Sequence, residues 1–171
     1  MIYSFSPISN KQSKVLILGS IPGKESLRKG QYYGHDRNGF WRVIYGLFSE
    51  VYEPDYALRT QFLLQKGIAL WDVIKCCERE GSLDSNIRNP IINDFGSFFR
   101  GHIGIKHVFF NGRMAYHLFK KHVGFAFEGI LFTYLKSTSP AHAVAFETRL
   151  KEWRTVRAAL NEIEEANDGD V

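Results

Sequence analysis

Only two of the 171 residues are cysteine, Cys76 and Cys77, and they are adjacent. Neighbours along a strand point to opposite faces, and two thiols cannot supply a four-ligand zinc or iron–sulfur centre, so no structural metal, cluster or disulfide framework is expected. Cysteine used this sparingly fits a reducing compartment. No apolar run approaches the roughly 18 residues of a membrane span, and the N-terminus has no signal-peptide pattern. The expectation is a soluble, unexported, cytoplasmic protein. Internal repeats, low-complexity segments and dividing linkers are missing too. Residues 1–165 are therefore expected to form one domain, with 166–171 as a flexible acidic tail.

Before Leu160 acidic residues are fewer than basic ones. All five charged residues after Leu160 are acids, so residues 1–160 carry 22 basic against 13 acidic side chains, a surplus of nine. That balance favours polyanionic partners, although a lysine-rich solvated surface gives the same count. Aromatic residues make up 15% of the chain, enough for a dense core or for a surface that stacks on planar rings.

Short apolar runs alternate with segments of helical spacing, the pattern of a doubly wound α/β domain. Strands are expected at residues 14–19, 68–75, 107–110 and 130–135, and helices at 40–48, 56–66, 91–99 and 113–122. A last helix from 143 to about 163 carries Phe146, Leu150, Trp153, Val156, Leu160 and Ile163 on one stripe that faces the core. The fold class is thus a three-layer α/β/α domain around a central, largely parallel four-stranded sheet.

Parallel strands bring the loops that follow them to one edge, where open α/β sheets place their sites. The first loop opens with Gly19-Ser20-Ile21-Pro22-Gly23 and runs to Tyr32-Tyr33-Gly34-His35-Asp36-Arg37-Asn38-Gly39-Phe40-Trp41. It has neither P-loop nor dinucleotide-fingerprint spacing, which argues against nucleoside triphosphate and NAD as ligands. One of Tyr32 and Tyr33 is expected in the core and the other in the cleft. Asn38 precedes a helix and is either its cap or a polar group for a ligand or water. Asp72 interrupts an apolar run, so its carboxylate needs partners: loop amides or a ligand. The second loop adds Ser82 and Asp84. Asn111 ends the third strand before Gly112 and equally suits a turn. Ser137-Thr138-Ser139-Pro140 reads as a helix cap with proline in the first turn, and the same hydroxyl-rich N-terminus would suit a phosphate. His142 is either a surface residue or a DNA contact. No nucleophile–base set is evident.

The ordered set formed by these segments, with Trp71-Asp72-Val73, Gly81-Ser82-Leu83-Asp84 and Phe110-Asn111-Gly112, resembles the uracil-DNA glycosylase superfamily, most closely its hypoxanthine-DNA glycosylase branch. The segment ending in Asn38-Gly39-Phe40-Trp41 is also similar to the mismatch-specific uracil glycosylases. The four-cysteine branches are excluded by the cysteine count. The resemblance implies an enzyme that flips a deaminated base, mainly hypoxanthine, out of double-stranded DNA and hydrolyses its N-glycosidic bond, as a monomer and with no metal or cofactor. It makes Asn38 catalytic and Tyr33 the stacking aromatic. Asp72, Ser82, Asp84, Asn111, Gly19 and Ser20 would surround the base, and Ser137, Ser139, Pro140, Ala141 and His142 would hold the DNA. Related branches place a water-positioning polar side chain where this chain has Ile21, and Pro and Asn where it has Lys136 and His142. Alternatives are a mismatch-specific uracil glycosylase, a non-catalytic damaged-DNA binder, and a small-molecule enzyme acting on a nucleoside or sugar phosphate.

Overall fold

The structure, a computed structural model, describes residues 1–170. In chain order the elements are β1 (Ile2–Tyr3), β2 (Val15–Gly19), α1 (Lys24–Lys29), α2 (Phe40–Leu47), α3 (Tyr56–Gln65), β3 (Ile68–Asp72), β4 (Ile74–Glu78), β5 (Arg88–Ile92), α4 (Phe95–Gly101), β6 (His107–Asn111), α5 (Arg113–His122), β7 (Leu131–Leu135) and α6 (Phe146–Gly169). A single 3-10 turn, Asp84–Asn86, lies between β4 and β5.

Strands β3-β2-β6-β7 form a four-stranded sheet in which every pairing is parallel. Alternation along β2 splits the core between its two faces. Val15 and Ile17 pack with Phe40, Ile44, Leu63, Trp153 and Leu160 from α2, α3 and α6. Leu16 and Leu18 pack on the other face with Phe95, Phe99, Ala115 and Phe119 from α4 and α5. This is the expected α/β/α sandwich. Each fully buried large side chain of this kind stabilises the fold by about 1.5–3 kcal/mol.

Three elements differ from expectation. The apolar run 68–75 is two strands, because the chain turns at Val73 after its N–H donates to Gly19 O (2.9 Å), and β4 leaves the main sheet. It joins a second, antiparallel sheet of order β1-β4-β5. Ile91 and Ile92 therefore belong to β5, not to a helix, and α4 begins at Phe95 behind Asp94, whose side chain accepts from Ser97 N. The last helix starts at Phe146 rather than near 143. The Ser137 and Ser139 hydroxyls accept instead from the backbone N–H groups of Ser139 and Ala141, a local pattern that competes with helix nucleation. Ser137-Thr138-Ser139-Pro140 is thus a structured loop ahead of the helix, not its cap. At its other end α6 continues to Gly169, with residues 164–169 fully outside the core.

Candidate active site

Parallel register sets the site. Gly19 pairs with Asp72 across β2 and β3, and Asn111 with Leu135 across β6 and β7, so the C-terminal ends of all four strands meet one edge. There they border a cleft of about 800 Å³. All thirteen residues singled out from the sequence line it: Gly19, Ser20, Tyr33, Asn38, Asp72, Ser82, Asp84, Asn111, Ser137, Ser139, Pro140, Ala141 and His142.

The floor is built around Gly19. A Cβ there would lie 2.7 Å from Asp72 Oδ1 and 3.0 Å from Tyr33 Oη, so only glycine lets these groups converge. Asp72 is 4% exposed. Its Oδ2 accepts from Ser4 Oγ at 2.7 Å, a contact made because β1 pairs with β4 and delivers the N-terminal segment beside the strand end. Burial pushes the Asp72 carboxyl up to about 7, with Ser4 opposing, the nearby Asp84 charge adding and Arg79 opposing. Asp84, at the solvent-facing rim, is also raised, chiefly by the protein packed around it and against a hydrogen bond from Ser20 Oγ (2.9 Å). Ser82 Oγ accepts from Lys24 N at 3.0 Å, which fastens the loop after β4 to the first loop. Arg79 strengthens that junction, donating through Nη2 to Pro22 O (2.7 Å) and through Nε to Gly81 O (3.0 Å).

Tyr32 and Tyr33 separate as expected, by a different device. They sit in a turn, and Tyr33 has φ 53°, a left-handed conformation uncommon for an aromatic residue. Tyr32 is buried, with its hydroxyl bonded to the carbonyls of Phe5 and Ser6. The Tyr33 ring stacks on Phe40, centroids 4.1 Å apart and planes 25° from parallel, which steadies it at the cleft wall. Its hydroxyl is buried without a hydrogen-bond partner. Burial raises its pKa strongly and the Asp72 charge adds; the Asn111 amide is committed to Thr138 and leaves the hydroxyl unpaired.

Asn38 meets both readings of its position. Its Oδ1 accepts from Phe40 N at 2.9 Å, relieving one unpaired amide of α2, while the side chain still borders the cleft. Gly39 N donates to Thr138 O (3.1 Å), tying this loop to the one after β7. Asn111 completes the tie, for its amide donates to Thr138 Oγ1 and accepts from Thr138 N, both at 2.9 Å. The sequence offers Thr138 only as one hydroxyl of a helix start suited to a phosphate; in the structure it is 1% exposed and joins two loops. Arg149, 6% exposed, is a residue the sequence left without a role: its Nη2 donates to His142 O at 2.8 Å and holds the 139–142 loop over the cleft. Its signal was available, because Arg149 is four residues before Trp153 and shares the buried stripe of α6. Ser4 had none. Arg113, Met114 and His117, from the start of α5, extend the cleft wall. No group of three or more His, Cys, Asp or Glu side chains among the described residues is arranged to hold a metal ion.

The sequence model described as the uracil DNA glycosylase superfamily matches residues 6–163. The chain belongs to that superfamily. Two curated relatives carry the name hypoxanthine DNA glycosylase. One, from Methanosarcina barkeri, is 40% identical over 110 residues, 64% of this chain and 70% of its own. The other, from Methanosarcina acetivorans, is 35% identical over 153 residues, 89% of this chain and 95% of its own. The solution NMR structure of a candidate uracil DNA glycosylase from Methanosarcina acetivorans matches with a TM-score of 0.78 at 34% identity, over 96% of this chain and 99% of that one. Against the superfamily pattern, Ile21 is 7% exposed and packs with Ile74 and Cys77, so it offers a water no polar atom. Lys136 faces solvent and pairs with Glu152 at 3.3 Å. Among the described residues no helix is long and apolar enough to cross a membrane.

Proposed function

We propose that this chain is a monofunctional DNA glycosylase that extrudes a deaminated base, mainly hypoxanthine, from double-stranded DNA and hydrolyses its N-glycosidic bond. The observation that carries the proposal is the convergence of a ring, Tyr33, a fixed amide, Asn38, and a buried carboxyl, Asp72, in one cleft at the sheet edge. The names of the two relatives support the same substrate.

In the proposed reaction the extruded base stacks on the face of Tyr33 turned away from Phe40. The C1′–N9 bond breaks and its electron pair leaves with the purine, so positive charge develops on the sugar and negative charge on the base. Asn38 holds a water against C1′, its amide already oriented by Phe40 N, and the water oxygen bonds to C1′ as its proton passes to the departing base. Asp72 and the loop donors around Gly19 and Ser20 read and stabilise the base, with Asp84 and Ser82 closing that side. The amides and hydroxyls of Ser137 and Ser139, with Pro140, grip the strand, while Ala141 and His142 fill the space the nucleotide leaves. No step requires a metal or cofactor. One extruded base needs one cleft, so the working form is a monomer, and two buried free thiols suit the cytoplasm.

Isoleucine at position 21 favours hypoxanthine over uracil, because the water-positioning polar side chain of the uracil branches is replaced by a buried apolar one. The experiment is incubation of the protein with end-labelled duplexes carrying hypoxanthine, xanthine or uracil, followed by alkaline cleavage at abasic sites. Cleavage chiefly at hypoxanthine is expected. Strong cleavage at uracil would assign a neighbouring specificity, and tight binding with no cleavage at any base would leave a damage-binding module.

A further inference from the structure

Arg59 takes no part in the cleft. It lies on α3, is 8% exposed and makes no ion pair among the described residues. Its Nη1 donates to Tyr52 Oη at 2.9 Å and its Nε is buried without a partner. Its guanidinium carbon lies 5.1, 5.5 and 5.6 Å from the ring centres of Trp41, Tyr56 and Tyr52. A second guanidinium, that of Arg42, sits 5.3 Å from the same Tyr52 ring. Both line a separate cavity of about 300 Å³, with Lys29 and Gln31. The acid on its wall, Asp36, has a side chain 91% exposed and is held at the rim by Lys29 Nζ at 2.7 Å.

Three cations thus share a small cavity with one carboxylate. Aromatic faces attract a guanidinium but leave its charge in place, and a buried unpaired charge is costly. Two like charges gathered on one ring repel each other unless an anion lies between them. Lys29 Nζ is already engaged by Gly34 O and Asp36 Oδ1, both at 2.7 Å, but the two planar guanidinium forks and the primary amide of Gln31 offer donors that match the several oxygens of a tetrahedral oxyanion. We infer that this cavity is a second binding site, for a phosphoryl group. It shares Tyr33, His35 and Asn38 with the reaction cleft, so an occupant would brace the back of the loop that carries the stacking ring and the amide. The site stands independently of the glycosylase proposal, since it lies in a different cavity and its occupancy is read without any excision.

The test is a titration of the full chain with inorganic phosphate, at constant ionic strength kept with chloride, followed by ¹⁵N–¹H NMR including the arginine Nε–Hε signals. A saturable shift at Arg59 Nε and at the backbone amides of Lys29, Gln31 and Arg42 is expected. Arg42→Gln, an exposed position that the fold tolerates, should weaken it about two- to fivefold. Arg59→Lys, which keeps the charge and loses the fork, should weaken it by about tenfold or more. The inference fails if these signals do not saturate, if only residues of the larger cleft such as Ser139 and Asn111 respond, or if Arg42→Gln titrates like the unaltered protein. Added undamaged duplex separates two sources of the same chemistry. Displacement of phosphate from Arg59 supports a backbone phosphate of DNA as the occupant, and phosphate retained alongside bound duplex supports a free phosphate or a nucleotide's.

Discussion

Replacing Asp72 with asparagine should stabilise the fold at neutral pH, and by more as pH rises. Burial holds the folded carboxyl near 7 against an ordinary value of 3.8. Between those values the folded chain binds a proton that the unfolded chain has released, so the stability this group allows is complete below pH 3.8 and is lost progressively as pH climbs to 7. At 1.36 kcal/mol per pH unit, the gap of about three units amounts to about 4 kcal/mol at pH 8 and to less than about 1 kcal/mol at pH 4. Asparagine keeps the shape and an acceptor for Ser4 Oγ, carries no charge at any pH, and brings an N–H₂ toward the unpartnered Tyr33 hydroxyl. Urea denaturation of both proteins at intervals from pH 4 to 8 measures the difference, in which titrations not coupled to Asp72 cancel. A difference that grows with pH in this direction supports the arrangement. A flat difference, or a variant less stable at pH 8, would show that Asp72 is ionised throughout and compensated, and would refute the reasoning. Excision should move the other way, falling about tenfold or more as the base loses its partner, the trade-off common at active sites.

Asn38→Ala removes the acceptor for Phe40 N and should cost about 0.5–2 kcal/mol in thermal or chemical unfolding, while single-turnover excision falls at least about a hundredfold. Asn38→Asp keeps the acceptor and should recover the stability; excision that merely tracks stability through both variants would reduce Asn38 to a helix cap. Gly19→Ala drives a methyl to within 2.7 Å of Asp72 Oδ1, and both melting temperature and excision should drop, the former by the equivalent of about 1–3 kcal/mol. Tyr33→Phe deletes a buried hydroxyl that bonds to nothing and should leave stability unchanged or slightly higher, with excision retained. Tyr33→Ala loses the ring itself, and damaged-duplex processing should weaken by an amount equivalent to about 1–3 kcal/mol; unchanged kinetics would remove the ring from the pocket.

Much of this molecule was legible because local signals and the global fold agree. The run Val15-Leu16-Ile17-Leu18 forms a strand buried on both faces, as a parallel sheet covered by helices requires, and the stripe from Phe146 to Ile163 does face the core. Once the strands were parallel, the loops after them had to meet, and so the residues of the cleft could be gathered before any contact was known. The failures share a cause. The turn at Val73, the joining of β1 to β4 and the placing of Ser4 beside Asp72 depend on contacts between segments more than about 50 residues apart, and no short window of sequence carries them. The delayed start of α6 reflects a competition between serine hydroxyls and helix amides that composition leaves undecided. Arg59 was silent for another reason: an arginine on an ordinary helix looks solvated until its aromatic neighbours, contributed by α2 and by the α2–α3 connection as well as its own helix, are known.

Release of free base is the most direct measure of the central claim. A hypoxanthine-containing duplex would be incubated under single-turnover conditions with the unaltered protein and with Asn38→Ala, and the liberated base and the abasic strand quantified by chromatography. The account predicts stoichiometric free hypoxanthine with the unaltered protein and almost none with the variant, although both bind the duplex. No free base from the unaltered protein, or equal release from the two, would contradict it.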